Sequence, residues 1–149
     1  MVIGFKNYAF SVVSRDGLIV SVAATTLPPS EAESEIEKAA QRELEEYFSG
    51  LRRAFTLPFS ASGTEFQQLV WRETLRIPYG ETVSYSRLAG RIGKPGAARA
   101  VGSALAKNPL LLIIPCHRVT ASDGKLTGYA GGIELKKALL SLEQGQKNG

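Results

Sequence analysis

Between Pro109 and Pro115 the chain reads Leu110, Leu111, Leu112, Ile113, Ile114, five aliphatic residues in succession. A run with no polar position cannot lie on a wet surface, and with prolines on both sides it is too short for an ordinary helix. It reads as a buried strand-like or extended segment. Pro115 fixes the local turn, and the segment then emerges on Cys116 and His117, the chain's only cysteine and only histidine.

The length of 149 residues fits one domain or two small ones. At 44% hydrophobic and 21% charged, the composition is that of a globular domain. No uninterrupted apolar run approaches the roughly 18 residues of a membrane span, and the N-terminus lacks the charged-then-apolar design of a signal peptide. A single cysteine excludes an internal disulfide and gives no sign of an oxidising compartment. One Cys and one His fall short of the three or four ligands of a protein-built zinc site. A cytoplasmic protein, nuclear in a eukaryote, is expected, with no metal and no membrane. Residues 82–149 hold 10 Lys/Arg and 3 Asp/Glu, against 8 and 11 in residues 1–81, so the net +4 divides as +7 and −3. The basic half suits a polyanion such as nucleic acid, or is simply a solvated basic surface.

Along the chain, "YAFSVVSRDGLIVSVAAT" is β-rich around Asp16-Gly17 and predicts a hairpin. Ser30 opens "SEAE", a capping-box pattern, and Ala32, Ile36, Ala40, Leu44 and Tyr47/Phe48 recur at helical spacing. A helix over 31–48 follows, with its glutamates on the wet face. Residues 50–63 show no period and read as a linker. Thr64 opens a second capping box, "TEFQ". Phe66, Leu69, Val70, Thr74 and Ile77 then share one side of a helix that "PYG" stops. Two short helices, about 84–92 and 97–107, are joined by "GKPG", the outline of a helix-turn-helix.

The second of these has an apolar stripe of Ala100, Val101, Ala104 and Leu105. Its opposite face holds Arg99, Gly102, Ser103 and Ala106, small except for one arginine. Glycine inside a helix costs about 1 kcal/mol against alanine. Either this face packs tightly on another helix, or it lets DNA come close while Arg99 reaches in. Asn108-Pro109 ends the helix. A free cysteine such as Cys116 is most often an inert small hydrophobe. The neighbouring His117 and Arg118 offer the other reading, a nucleophile whose thiol pKa is lowered by nearby positive charge.

"IPCHRV" resembles the active-site motif of the O6-alkylguanine-DNA alkyltransferases, the methylated-DNA–protein-cysteine methyltransferases. "GTEFQQLVW", "IPYGETVSYSRLA", "AARAVGSALAKNP", "GYAGG" and "KKALLSLEQG" stand in that family's order and spacing, covering about residues 57–144. The resemblance implies an α+β (α/β) fold. A small N-terminal ribonuclease-H-like α/β domain would span 1–55, and a C-terminal, mostly helical, winged-helix-like domain with the helix-turn-helix would span 56–149. It implies irreversible, single-turnover transfer of the alkyl group of O6-alkylguanine, and of O4-alkylthymine, in double-stranded DNA to Cys116, by a monomer with no cofactor.

The implied roles follow position by position. Arg99 fills the gap left by a flipped nucleotide. Tyr85 pushes the lesion out and donates a proton to the departing guanine. Asn108 ties the helix-turn-helix to the active-site segment. His117 links Cys116, through a water, to Glu143. Gly102, Ser103, Ala106, Tyr85 and Arg118 face DNA. Tyr85, Cys116, Val119, Tyr129, Ala130 and Gly131 line the pocket, with the carbonyls of Cys116 and Val119 holding the guanine amino group. The family often has serine where this chain has Ala130, so a hydroxyl is absent there. Two rivals stand beside this reading. One is a non-catalytic lesion binder, against which Cys116 itself argues. The other is a transcription regulator, which would need more polar side chains on the recognition helix for base edges.

Overall fold

Asp16 and Gly17 both take left-handed backbone, with φ of 53° and 78°. Positive φ at both central residues is the geometry of a two-residue type I′ turn, whose twist matches that of the strands it joins. In the computed structural model, which describes residues 1–126 and 128–148, this hairpin is part of a three-stranded antiparallel sheet in the order β1-β2-β3. The strands are β1 (Val2–Phe5), β2 (Tyr8–Arg15) and β3 (Leu18–Thr25). β1 is an addition to the expected hairpin. Its turn, which includes Lys6 at φ 54°, has no glycine to announce it.

The chain forms two units, Met1–Ala61 with Pro109–Leu111, and Ser62–Asn108 with Leu112–Gly149. The division falls later than the expected 55/56 boundary, because Pro58–Ser60 is hydrogen-bonded to the edge of β3 at Ile19. In the first unit, α1 (Glu35–Phe48) lays Ala40, Leu44 and Tyr47 into the core. Phe48 stacks on Phe5 with centroids 4.6 Å apart. The helix begins four residues later than expected. Ser34, not Ser30, makes the capping box, with Glu37 as its partner. Two consecutive S-x-x-E patterns compete here, and the Ser30 hydroxyl is taken by the Val2 amide in a bridge to β1. Nor are all the glutamates wet. Glu43 is 2% exposed and binds the Thr56 amide and hydroxyl, with Arg52 as its counter-ion.

The second unit opens with α2 (Glu65–Thr74), capped by the expected Thr64–Gln67 box. Then come β4 (Val83–Ser84), α3 (Tyr85–Arg91) and α4 (Ala98–Ala106), the last two being the helix-turn-helix pair. A single 3-10 turn at Cys116–Arg118 runs into β5 (Val119–Thr120), which pairs in parallel with β4. α5 (Ile133–Asn148) closes the unit. Among the described residues no helix is long and apolar enough to cross a membrane, and no three His, Cys, Asp or Glu side chains gather as a metal cluster.

Trp71 fixes α4 in place. Its ring is 2% exposed, and its indole N–H donates to the Ala104 carbonyl at 2.9 Å. Gly63 makes room for that ring, since a Cβ there would lie 2.6 Å from it. We therefore expect Gly63→Ala to lower unfolding free energy by about 1–3 kcal/mol through overpacking. Urea denaturation would read this, and unchanged stability would show that the indole is free to shift.

Candidate active site

Five elements of the second unit deliver the side chains that the sequence singled out. α3 begins with Tyr85, and α4 presents Arg99, Gly102, Ser103 and Ala106. The 3-10 turn holds Cys116, His117 and Arg118. The loop before α5 supplies Tyr129 and Ala130, and α5 itself carries Glu143. Tyr85, Arg99, Gly102, Ser103, Ala106, Cys116, Tyr129 and Ala130 line one cavity of about 840 Å³, together with Ser86, Leu105, Ser122 and Gly128 among others. The α4 face is open, as expected. Ala100, assigned to the buried stripe, is instead exposed, while Val101, Ala104 and Leu105 are buried. The glycine on this face is not required by internal packing, because a Cβ at Gly102 would meet the Tyr85 ring at an ordinary 3.8 Å.

Cys116 sits at the cavity wall, 5% exposed. The Asn108 side-chain amide donates to the Ile114 carbonyl at 2.9 Å and to Cys116 Sγ at 3.1 Å, so the last residue after α4 is tied directly to the thiol. Burial pushes the thiol pKa up to about 11, against the Asn108 hydrogen bond and the charge of Lys136. This reverses the sequence-based expectation of a lowered pKa. His117 and Arg118 follow Cys116 in sequence, but His117 Nε2 and Arg118 Nε and Nη2 turn to Glu143. At neutral pH the resting sulfur is therefore a protonated thiol, and it would need a base to act as a nucleophile.

The histidine next in sequence is held by a buried carboxylate. His117 is fully buried, with Nε2 2.7 Å from Glu143 Oε2. Arg118 Nε donates to Glu143 Oε1 at 2.8 Å and Nη2 to Oε2 at 3.0 Å, while Nη1 reaches the Ile77 carbonyl at 2.8 Å. Arg118 is thus a buried partner of the carboxylate, 7% exposed, and not the DNA-facing residue expected. Side-chain direction decided this, and sequence adjacency does not reveal it. Burial would raise the Glu143 carboxyl pKa, but the contacts of His117 and Arg118 outweigh it and hold it well below the ordinary carboxylate range. An anionic Glu143 fixes the ring proton on Nε2. Burial lowers the His117 pKa despite the carboxylate, so the ring is neutral and Nδ1 keeps its lone pair. Nδ1 is buried, without a hydrogen bond from any described residue.

Two pocket assignments shift. Val119 is fully buried, and its carbonyl accepts from Lys136 Nζ at 2.6 Å. Neither Val119 nor Gly131 is among the residues lining the cavity. Lys136 was missed by the sequence reading. It is fully buried on α5, its ammonium lies 3.5 Å from the Tyr85 hydroxyl, and it faces Cys116 electrostatically. The only hint was a lysine at a core-facing position of "LKKALL", since buried lysines are rare.

Residues 65–145 match the family model described as 6-O-methylguanine DNA methyltransferase, DNA binding domain. Over 107 residues the chain is 54% identical to the methylated-DNA–protein-cysteine methyltransferase of Methanosarcina barkeri, covering 72% of this chain and 68% of that protein. The chain belongs to the methylated-DNA–protein-cysteine methyltransferase family. The fold agrees. A Mycobacterium tuberculosis OGT solved in complex with DNA superposes with a TM-score of 0.86 at 39% identity, covering 97% of this chain and 92% of that one. Schizosaccharomyces pombe Atl1, solved with damaged DNA containing O6-carboxymethylguanine, has a TM-score of 0.50 at 31% identity, over 55% of this chain and 78% of its own.

The raised thiol pKa has a direct readout. Labelling of Cys116 by iodoacetamide should keep climbing as pH rises past 9, because the reactive thiolate is still the minor form there. Free cysteine should level off near its own pKa of about 8.5. A plateau for Cys116 below that value would mean that nearby positive charge outweighs burial.

Proposed function

We propose that this protein repairs alkylated DNA by moving the alkyl group from the O6 position of guanine to its own Cys116 sulfur. The observation that carries the proposal is the wiring around Cys116. The lone cysteine lines a cavity beside the open face of a helix-turn-helix, and a neutral histidine oriented by a buried carboxylate adjoins it in the chain. The family relatives' names supply the reaction class.

The lesion is stacked in a duplex, so the nucleotide must leave the stack at a cost of a few kcal/mol. The small-residue face of α4 lets the backbone come close to DNA, and Arg99 occupies the vacated space. Tyr85, which lies beside Gly102 and lines the same cavity as Cys116, protonates the departing guanine. His117 Nδ1 takes the thiol proton, through a water, as Glu143 stabilises the imidazolium that forms. Sulfur attacks the alkyl carbon, the carbon–oxygen bond breaks, and unmodified guanine is left. The product is a thioether, which water does not readily cleave, so each molecule reacts once. The same chemistry serves O4-alkylthymine. Asn108 keeps Sγ in register with the helix-turn-helix. The protein acts as a monomer, in the cytoplasm or, in a eukaryote, the nucleus, and needs no cofactor.

A non-catalytic lesion binder is the alternative, and the likeness to Atl1 bound to damaged DNA is the observation in its favour. Intact mass after mixing with O6-methylguanine duplex decides between them. Alkyl transfer predicts a permanent gain of one methylene on Cys116 that stops at one equivalent per protein. Cys116→Ser should bind the lesion and gain no mass, because its hydroxyl is too protonated at neutral pH to replace the thiolate. Transfer by the serine variant would remove Cys116 from the reaction.

Arg99→Ala should slow repair of duplex DNA at saturating concentration far more than reaction with free O6-benzylguanine, which has no stack to leave. Equal fractional losses on both substrates would assign the damage to the pocket. An unchanged saturated rate on duplex would reduce Arg99 to one phosphate contact.

A further inference from the structure

The segment that leads to the nucleophile belongs to two units in turn. Asn108 is in the second unit, Pro109–Leu111 are part of the first, and Leu112 onward are again in the second. Within the first unit, the Val22 amide donates to the Pro109 carbonyl at 2.9 Å, and the Leu111 amide donates to the Val22 carbonyl at 3.0 Å. β3 is an edge strand, bonded to β2 on one side only. Val22 turns both backbone groups to the free side and receives Leu110 as a parallel bridge. Only the start of the five-aliphatic run, Leu110 and Leu111, is thus held like a short extra strand, and Leu112 and Ile113 then form a turn, in place of the extended segment expected over the whole run.

The next residue is strained. Leu112 has φ of +75°, a conformation that non-glycine residues rarely adopt, and it is 2% exposed. The other two non-glycine residues with positive φ among the described residues, Lys6 and Asp16, lie in hairpin turns, where such backbone is common. Strain of this kind persists only where the surroundings over-determine it. On one side stand the two Val22 bonds. On the other, the Ile114 carbonyl accepts from Asn108 at 2.9 Å and from the Cys116 amide at 2.7 Å. Only Ile113, Ile114 and Pro115 separate Leu112 from Cys116. Were Leu111 released, Leu112 could relax to negative φ and carry the thiol away from the Asn108 amide.

We propose that Val22, through its two backbone hydrogen bonds, is a positioning residue for Cys116. The edge of β3 then has a part in the reaction besides holding its own unit together. This rests on the reading of Cys116 as the alkyl acceptor.

The structure provides a matched control. Ile19, on the same edge, donates to the Pro58 carbonyl at 2.9 Å and accepts from the Ser60 amide at 3.0 Å, the same arrangement on a segment that does not lead to the thiol. Proline is tolerated on an edge strand when only an outward N–H is lost. Val22→Pro and Ile19→Pro each remove one such N–H, and thermal melts report the loss of stability in each. The reaction is then followed with free O6-benzylguanine by intact mass. Val22→Pro should lower the saturated rate constant about tenfold or more while the half-saturating concentration holds, as expected when reacting atoms are misplaced. Ile19→Pro, at comparable stability loss, should leave the rate unchanged.

Equal rate losses in the two variants, or none in Val22→Pro, would overturn the proposal. A second arm needs no variant. In the unmodified protein, hydrogen exchange of the Val22 and Leu111 amides should be slow and should proceed through one shared opening. Loop-like fast exchange at Leu111 would overturn the proposal even if Val22→Pro failed to fold. If the unmodified protein took no benzyl group at Cys116, the alkyl-acceptor reading would fail, and the exchange arm would still judge the clamp by itself.

Discussion

The site is organised around one buried negative charge. Glu143 is fully buried, and an unpaired carboxylate in that position would be far too costly to keep ionised. It stays ionised because donors surround it: the Arg118 guanidinium on both oxygens, His117 Nε2, and the Gly80 amide at 3.3 Å. Those donors come from the 3-10 turn and the "PYG" loop, so one carboxylate on α5 ties three stretches of chain together. The same contacts set the chemistry. A permanent cation keeps the carboxylate anionic, the anion keeps the proton on Nε2, and Nδ1 is thereby left as a base.

Burial gives the thiol an opposite problem. Cys116 is buried, and its desolvation protects the neutral form and suppresses the nucleophilic one. Asn108 and Lys136 work against this without overcoming it. In the reaction proposed above, the thiol therefore depends on a base to become nucleophilic. A neighbour in sequence is therefore not an activating charge in itself. Arg118 sits two positions from Cys116 yet serves Glu143, whereas Lys136, 20 residues away, is the cation that the thiol feels.

The elements with strong local signals were legible before any coordinates. Asp16-Gly17, the Thr64–Gln67 box, the "GKPG" turn and the periodicity of α4 rest on interactions within a few residues, which a sequence displays directly. Where two local signals compete, as at Ser30 and Ser34, the winner was set by a distant partner, the Val2 amide. β1 and the buried Glu43 went unread for the same reason. Their partners, β2 and Thr56, supply the energy that local propensity lacks.

By itself the sequence determined the inventory and the order of parts: one cysteine next to one histidine after a buried run, a helix with a small open face, and motifs whose spacing names the family. Only the tertiary structure decided which way side chains point and what they are worth. It turned Arg118 inward, brought Lys136 to Tyr85 and Val119, kept Val119 out of the cavity wall, and raised the Cys116 pKa rather than lowering it. The physical reason is that hydrogen bonds within a turn of chain depend on neighbours in sequence. Desolvation and charge pairing depend on neighbours in space, and those exist only once the chain has folded.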